Sequence, residues 1–189
     1  RYGNWVEKLM INGIGASIPM SADGRVFYYS DYNPREGIKQ NIYKGWEWSC
    51  CTGTRPEAIA EYADLIYFKD ANGIYGNLGS PSRVTWNGIT FNQQTRFPES
   101  DETTFTVSTT KPKSFSFHFR KPSWLKVSQQ VWVNGQPVTA TLSDGWYQVK
   151  RQWKNGDKIR LVLPMDFAIS RLDSTKQYPA ALTYGPVVL

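Results

Sequence analysis

The chain has 189 residues, 40% hydrophobic and 20% charged, which fits one sizeable globular domain, or a compact domain carrying part of another, and excludes a disordered chain. Its 22 Lys and Arg against 16 Asp and Glu give +6, but the basic clusters (Lys111 to Lys113, Lys150 to Lys154) are short and belong to no recognition module, so no nucleic-acid partner is expected. No apolar run approaches the roughly 20 residues that cross a bilayer, so no membrane partner is expected either. Aromatic residues make up 15% of the chain, a density that suits a β-rich core and also sugar-binding surfaces. The sequence opens on Arg1, without Met or signal peptide, which implies a processed or excised segment.

From the N-terminus, "YGNWVEKLMINGIG" places Trp5, Val6, Leu9, Met10 and Gly13 on one face at helical spacing. "GRVFYYSDYNPREG" follows, aromatic and turn-rich, and reads as a strand or two and a long loop. A second helix is expected in "TRPEAIAEYADLIYF", where Thr54 and Glu57 match a capping box and Pro56 falls in the first turn. Its buried stripe is expected at Ile59, Tyr62, Ala63 and Ile66.

Near residue 70 the pattern changes to period two. Strands are predicted in "GIYGNLG", "SRVTW", "GITFNQQ", "TTFTVST" and "SFSFHFR"; in the last, Phe115, Phe117 and Phe119 alternate with Ser116, His118 and Arg120. "QQVWVNGQPVTATL", with Asn134-Gly135 as a two-residue hairpin turn, "GWYQVKRQW" and "GDKIRLVLPM" complete the series. The expected fold class is mainly β with a short helical N-terminal part, the β portion being an antiparallel sandwich. Two helices cannot bury their apolar stripes alone; they either pack on the sandwich or belong to a helical domain mostly outside this chain, and the second reading is preferred.

The only cysteines are adjacent, Cys50 and Cys51 in "WSCCTGT". A bridge between neighbours closes a small strained ring and constrains almost no chain, so a structural disulfide is a poor explanation. They are either small buried hydrophobes or a site of thiol chemistry. Their place three to four residues ahead of the inferred cap at Thr54 favours the second, because a helix N-terminus lowers a thiol's pKa. A closed zinc site needs four ligands, and two thiols with His118, which reads equally well as an exposed strand histidine, do not supply them.

"RYGNWVEKLMINGIGASIPMSADGRVFYYSDYNP" and "WSCCTGTRPEAIAEYADLIYFKDANGIYGNLGSPSRVTW", with the downstream "FSFHFRKPSWLKVSQQVWVNGQPV", "GWYQVKRQWKNGDKIRLVLPM" and "AALTYGPVVL", resemble glycoside hydrolase family 127, the β-L-arabinofuranosidase type. The resemblance covers essentially the whole chain. It implies that residues 1–70 are the last helices and loops of an incomplete (α/α)6 catalytic barrel and 71–189 a β-sandwich domain. It further implies a retaining glycosidase acting on a glycan substrate, with Cys50 as nucleophile. Zinc would be held by Cys50, Cys51 and a Glu-x-Cys motif upstream of Arg1, and Tyr28 and Tyr29 would lie at the sugar site. On this reading the missing N-terminal barrel of the same protein is the principal partner, the segment alone is inactive and does not hold zinc tightly, and the compartment stays open between bacterial periplasm and cytoplasm. The rival reading is a non-catalytic carbohydrate-binding or structural sandwich, with Trp124, Trp132 and Trp146 as sugar platforms or, more simply, core packing.

Overall fold

The computed structural model describes residues 2–16 and 50–189. Helix α1 (Tyr2–Lys8) runs on into a π-helical stretch, Leu9–Ile14, and helix α2 spans Cys50–Asp64. Fourteen strands follow among the described residues. In the first sheet the order is β1 (Tyr67–Lys69), β2 (Gly73–Gly76), β6 (Lys113–Arg120), β10 (Trp146–Trp153) and β9 (Thr141–Ser143). The second holds β3 (Ser82–Trp86), β4 (Ile89–Thr95), β5 (Glu102–Thr109), β11 (Lys158–Val162), β7 (Gln130–Val133) and β8 (Gln136–Pro137). A third, small sheet joins β12 (Phe167–Arg171), β13 (Ala180–Tyr184) and β14 (Val187–Val188).

Period-two patterning builds the sandwich as the sequence predicts. Alternate residues of facing strands meet in one core: Phe115, Phe117, Phe119, Tyr147 and Val149 from the first sheet, and Ile89, Phe91, Phe105, Val107, Val131, Val133, Ile159 and Leu161 from the second. Phe117 lies at its centre, stacked on Phe91 at 4.9 Å and edge-on to Phe105 at 4.9 Å and Phe119 at 4.5 Å. Burying each such ring stabilises the fold by about 1.5–3 kcal/mol. Trp153 closes one end, fully buried, with its indole N–H donating to the Phe115 carbonyl at 3.2 Å.

Asn134-Gly135 is a left-handed two-residue turn (φ 53° and 78°), and Asn87-Gly88 and Asp144-Gly145 repeat it. Positive φ at both central residues is what the primed hairpin turn requires, and Asn, Asp and Gly adopt it most readily.

Three sequence expectations are corrected. The sandwich is not wholly antiparallel: β2 pairs in parallel with β6, because the chain crosses through β3, β4 and β5 of the other sheet between them. Helix α2 begins at Cys50 rather than after Thr54, so Pro56 lies inside it and, having no N–H, leaves one i→i−4 bond unmade. The stripe assigned to α2 is not buried along its length. Ile59 is 49% exposed, Ala63 is exposed and Tyr62 half-buried; Ile66 is buried, but beyond the helix end. The apolar face read at the N-terminus is open, with Trp5 63% and Leu9, just past α1, 47% exposed, and the buried residue of α1 is Glu7. The reason lies across the sandwich, in Arg120.

Candidate functional site

Cys50 and Cys51 open α2, in its first turn rather than ahead of it. The first four amides of a helix have no intrahelical acceptor and carry partial positive charge, which favours thiolate over thiol. Tyr28 and Tyr29 lie outside the described residues. Among the described residues no group of three or more His, Cys, Asp and Glu side chains gathers as a metal site. His118 takes no part in one. It sits half-buried on the outer face of the first sheet, stacked on Tyr75 at 4.0 Å, and burial lowers its pKa against the opposing pull of Asp70.

Helix α1 is fastened to the end of β6 by polar side chains that hydrophobic patterning overlooks. The Arg120 guanidinium donates to the Asn77 carbonyl at 2.7 Å, to Asn4 Oδ1 and to Glu7 Oε1. The second Glu7 oxygen accepts from Trp124 Nε1 at 2.8 Å, and Asn4 Oδ1 also accepts from the Ser123 amide at 3.0 Å. Asn77 Nδ2 in turn donates to the Leu65 carbonyl at 2.8 Å, which ties in the chain leaving α2. Burial pushes the Glu7 carboxyl above its ordinary value, outweighing the Arg120 charge that pulls it down. Tyr62 beside them is pushed up to about 12 by burial and by the Glu7 charge. Gly3 has no side chain at the contact, where a Cβ would stand 2.5 Å from Asn77 Oδ1.

The π-helical stretch docks separately. Asn12 presents its whole amide to the third sheet: Nδ2 donates to the Pro186 carbonyl at 2.8 Å and Oδ1 accepts from the Val188 amide at 2.8 Å. One side chain thus satisfies a strand edge as a neighbouring strand would.

The three tryptophans considered as sugar platforms are half-buried, outside the core, and separate. Trp124 serves the Glu7 junction and stacks on Phe97 at 6.2 Å; Trp132 lies under Arg160 at 4.0 Å; Trp146 meets Tyr75 edge-on at 5.0 Å. The structure does not bring them to one surface. A different row forms instead, with Phe68, Tyr75 and His118 in register across β1, β2 and β6 and Gln148 continuing it on β10. Tyr75 is held there by donating to Asp70 at 2.8 Å.

Fold and site together define a β-sandwich with helices docked on one end, a cysteine pair opening one of them. Residues 73–165 match the middle domain of β-L-arabinofuranosidases of family GH127. The chain is 27% identical, over 99% of its length, to 31% of the non-reducing end β-L-arabinofuranosidase of Bifidobacterium longum subsp. longum. Among solved structures it is similar to a GH127 β-L-arabinofuranosidase from Geobacillus stearothermophilus T6 (TM-score 0.81, 22% identity, 99% of this chain and 32% of that one). It is also similar to a second GH127 β-arabinofuranosidase (TM-score 0.76, 19% identity, 99% and 32%). The chain is thus similar to family GH127 enzymes, and it spans about a third of the length of these relatives.

Proposed function

We propose that the full-length protein hydrolyses β-L-arabinofuranosides or related plant-type glycans with retention of configuration, and that Cys50 is its nucleophile. The observation that carries this reading is the position of the cysteine doublet: it opens the helix that leads directly into a GH127 middle domain. On this reading α1, its π-helical extension and α2 are the last helices of the catalytic barrel, and residues 71–189 are the sandwich domain behind it.

The Cys50 thiolate attacks the anomeric carbon while a carboxylic acid elsewhere in the barrel protonates the departing oxygen. The carboxylate left by that acid then takes a proton from water, which attacks the anomeric carbon from the face opposite the C–S bond and expels the Cys50 thiolate; the two inversions give net retention. Cys51 stands beside the nucleophile as a metal ligand, and Tyr28 and Tyr29 contact the sugar. The donor chemistry fits zinc, since adjacent thiolates at a helix N-terminus are soft anionic ligands, but it provides two of the four that a closed site takes. Cys50 and Cys51 would hold the ion with a Glu-x-Cys pair from the rest of the protein. Zinc, when bound, supplies the charge that keeps the thiol ionised at neutral pH.

The test is covalent trapping in the complete protein. A mechanism-based arabinofuranosyl inactivator is expected to add one sugar to the peptide spanning Trp48 to Arg55, with fragmentation placing it on Cys50 and not on Cys51. An adduct on a carboxylate, or turnover retained by a metal-free Cys50→Ala protein, overturns the assignment.

A further inference from the structure

The end of the sandwich remote from the helices holds an open cleft of about 650 Å³, within the range of small-ligand sites. Strand β6 separates the two regions. Arg120 at one end anchors α1, while Lys113 at the other lines the cleft, and eight strand residues put roughly 23 Å between them.

Both sheets contribute. Trp86, at the end of β3, forms one wall and is fixed edge-on against Phe115 at 5.5 Å. Lys113 crosses from β6 to donate to the Asn87 carbonyl, so its ammonium is held at the rim rather than swinging in solvent. Lys150 on β10 is exposed and has no ion-pair partner among the described residues. Between the lysines the floor is polar. Gln148 Nε2 donates to Ser116 Oγ at 2.7 Å, which leaves the Gln148 carbonyl and the Ser116 hydroxyl proton for a ligand, and Asn72 adds an amide. Among the described residues no carboxylate lines the cleft. Asp70, the nearest acid in sequence, is turned into its own loop, accepting from the Asn72 and Gly73 amides at 2.7 and 2.8 Å and from Tyr75.

We infer that this cleft is a binding site for an acidic oligosaccharide, a sugar chain bearing ring carboxylates, separate from any site on the cysteine-bearing helix. Paired hydroxyl and amide groups match vicinal sugar hydroxyls, which both donate and accept. The flat indole of Trp86 matches the apolar face of a sugar ring. Two lysines with no opposing acid match a carboxylate. A compact phosphate is a poorer match, because among the described residues no arginine and no helix N-terminus faces the space. The inference stands apart from the catalytic reading, since nothing in it depends on Cys50.

The test is calorimetric titration of the chain with trigalacturonate, galactotriose and tricarballylate at low salt. Trigalacturonate is expected to bind at least tenfold more tightly than either of the others, and the advantage is expected to shrink as salt rises. Lys150→Glu, on an exposed strand position, and Asn72→Ala, in a turn, are each expected to weaken trigalacturonate at least fivefold while circular dichroism stays unchanged. Equal binding of tricarballylate makes this a general anion surface and overturns the inference. Equal binding of galactotriose removes the acidic specificity and overturns it as stated. Undetectable trigalacturonate binding at millimolar concentration, or full affinity in both variants, also overturns it.

Discussion

Replacing Glu7 by leucine tests whether α1 is held by charge. The substitution leaves two donors without their acceptor, the half-buried Trp124 Nε1 and one Arg120 N–H, in a junction where Glu7 and Arg120 side chains are 3% and 9% exposed. Breaking a buried ion pair from one side costs about 3–5 kcal/mol. Arg120 keeps the Asn77 carbonyl and Asn4 Oδ1, so the lower end of that range, about 3 kcal/mol, is expected. For a chain of this size that corresponds to a fall in melting temperature of about 6–12 °C. Hydrogen exchange is expected to localise the loss: amides of residues 4–8 lose protection while those of Phe117 and Phe119 keep theirs. Adding Arg120→Met removes the stranded charge and is expected to recover about 2 kcal/mol, because apolar replacements of a buried pair are often neutral. The pH dependence has a definite sign. Burial raises the Glu7 carboxyl above its ordinary 4.5, so its contribution is fully present below 4.5 and is lost as pH rises through the raised folded value. The advantage of wild type over Glu7→Leu is therefore expected to grow on acidification through that window. A cost below about 1 kcal/mol, or a double variant that merely sums the singles, refutes the account.

Gly73→Ala is expected to destabilise the β2–β6 pair, since its Cβ would stand 2.3 Å from a backbone oxygen that the ladder fixes; unchanged thermal unfolding contradicts this. Trp153→Ala is expected to cost about 3–5 kcal/mol in chemical denaturation, because a fully buried ring and its hydrogen bond to Phe115 are lost together. The chain alone is expected to lose zinc on dialysis against a weak chelator; one equivalent retained shows further ligands within 1–189. Trp5, Leu9 and Ile59 are exposed on the helices, so the isolated chain is expected to bind a hydrophobic dye or self-associate, and a dye-silent monomer argues against an interface there.

Much of the sandwich is legible locally. "SRVTW" corresponds to β3 to the residue, and the Phe115, Phe117 and Phe119 alternation gives the correct inner face of β6. Tyr67–Lys69 is too short to carry a period, and β12 shows Phe167 and Ile169 outward, a pattern that core-seeking rules do not assign. Asn87-Gly88 and Asp144-Gly145 carry the same turn signal as Asn134-Gly135 and could have been read with it. The Trp5 and Leu9 face is legible at helical spacing, but periodicity does not report that Glu7, and not this face, meets the sandwich. The counter-charge to Glu7 comes from a residue 113 positions away, and no local pattern reports such a partner. The cysteine pair stood out because it was alone, yet the placement of its helix start depended on reading Thr54 as a cap.

The Arg120 junction also sets an order of assembly. Its partners come from three stretches of chain: acceptors around Glu7 and around Asn77, and, just past β6, Trp124, which donates to the same Glu7 carboxylate; they converge only when β6 has paired. During synthesis α1 leaves the ribosome well before Arg120 exists. At roughly 5–20 residues per second its charged face waits about 6–23 s for its partner. The face that ends up against the sandwich is therefore the one that water solvates best in the meantime.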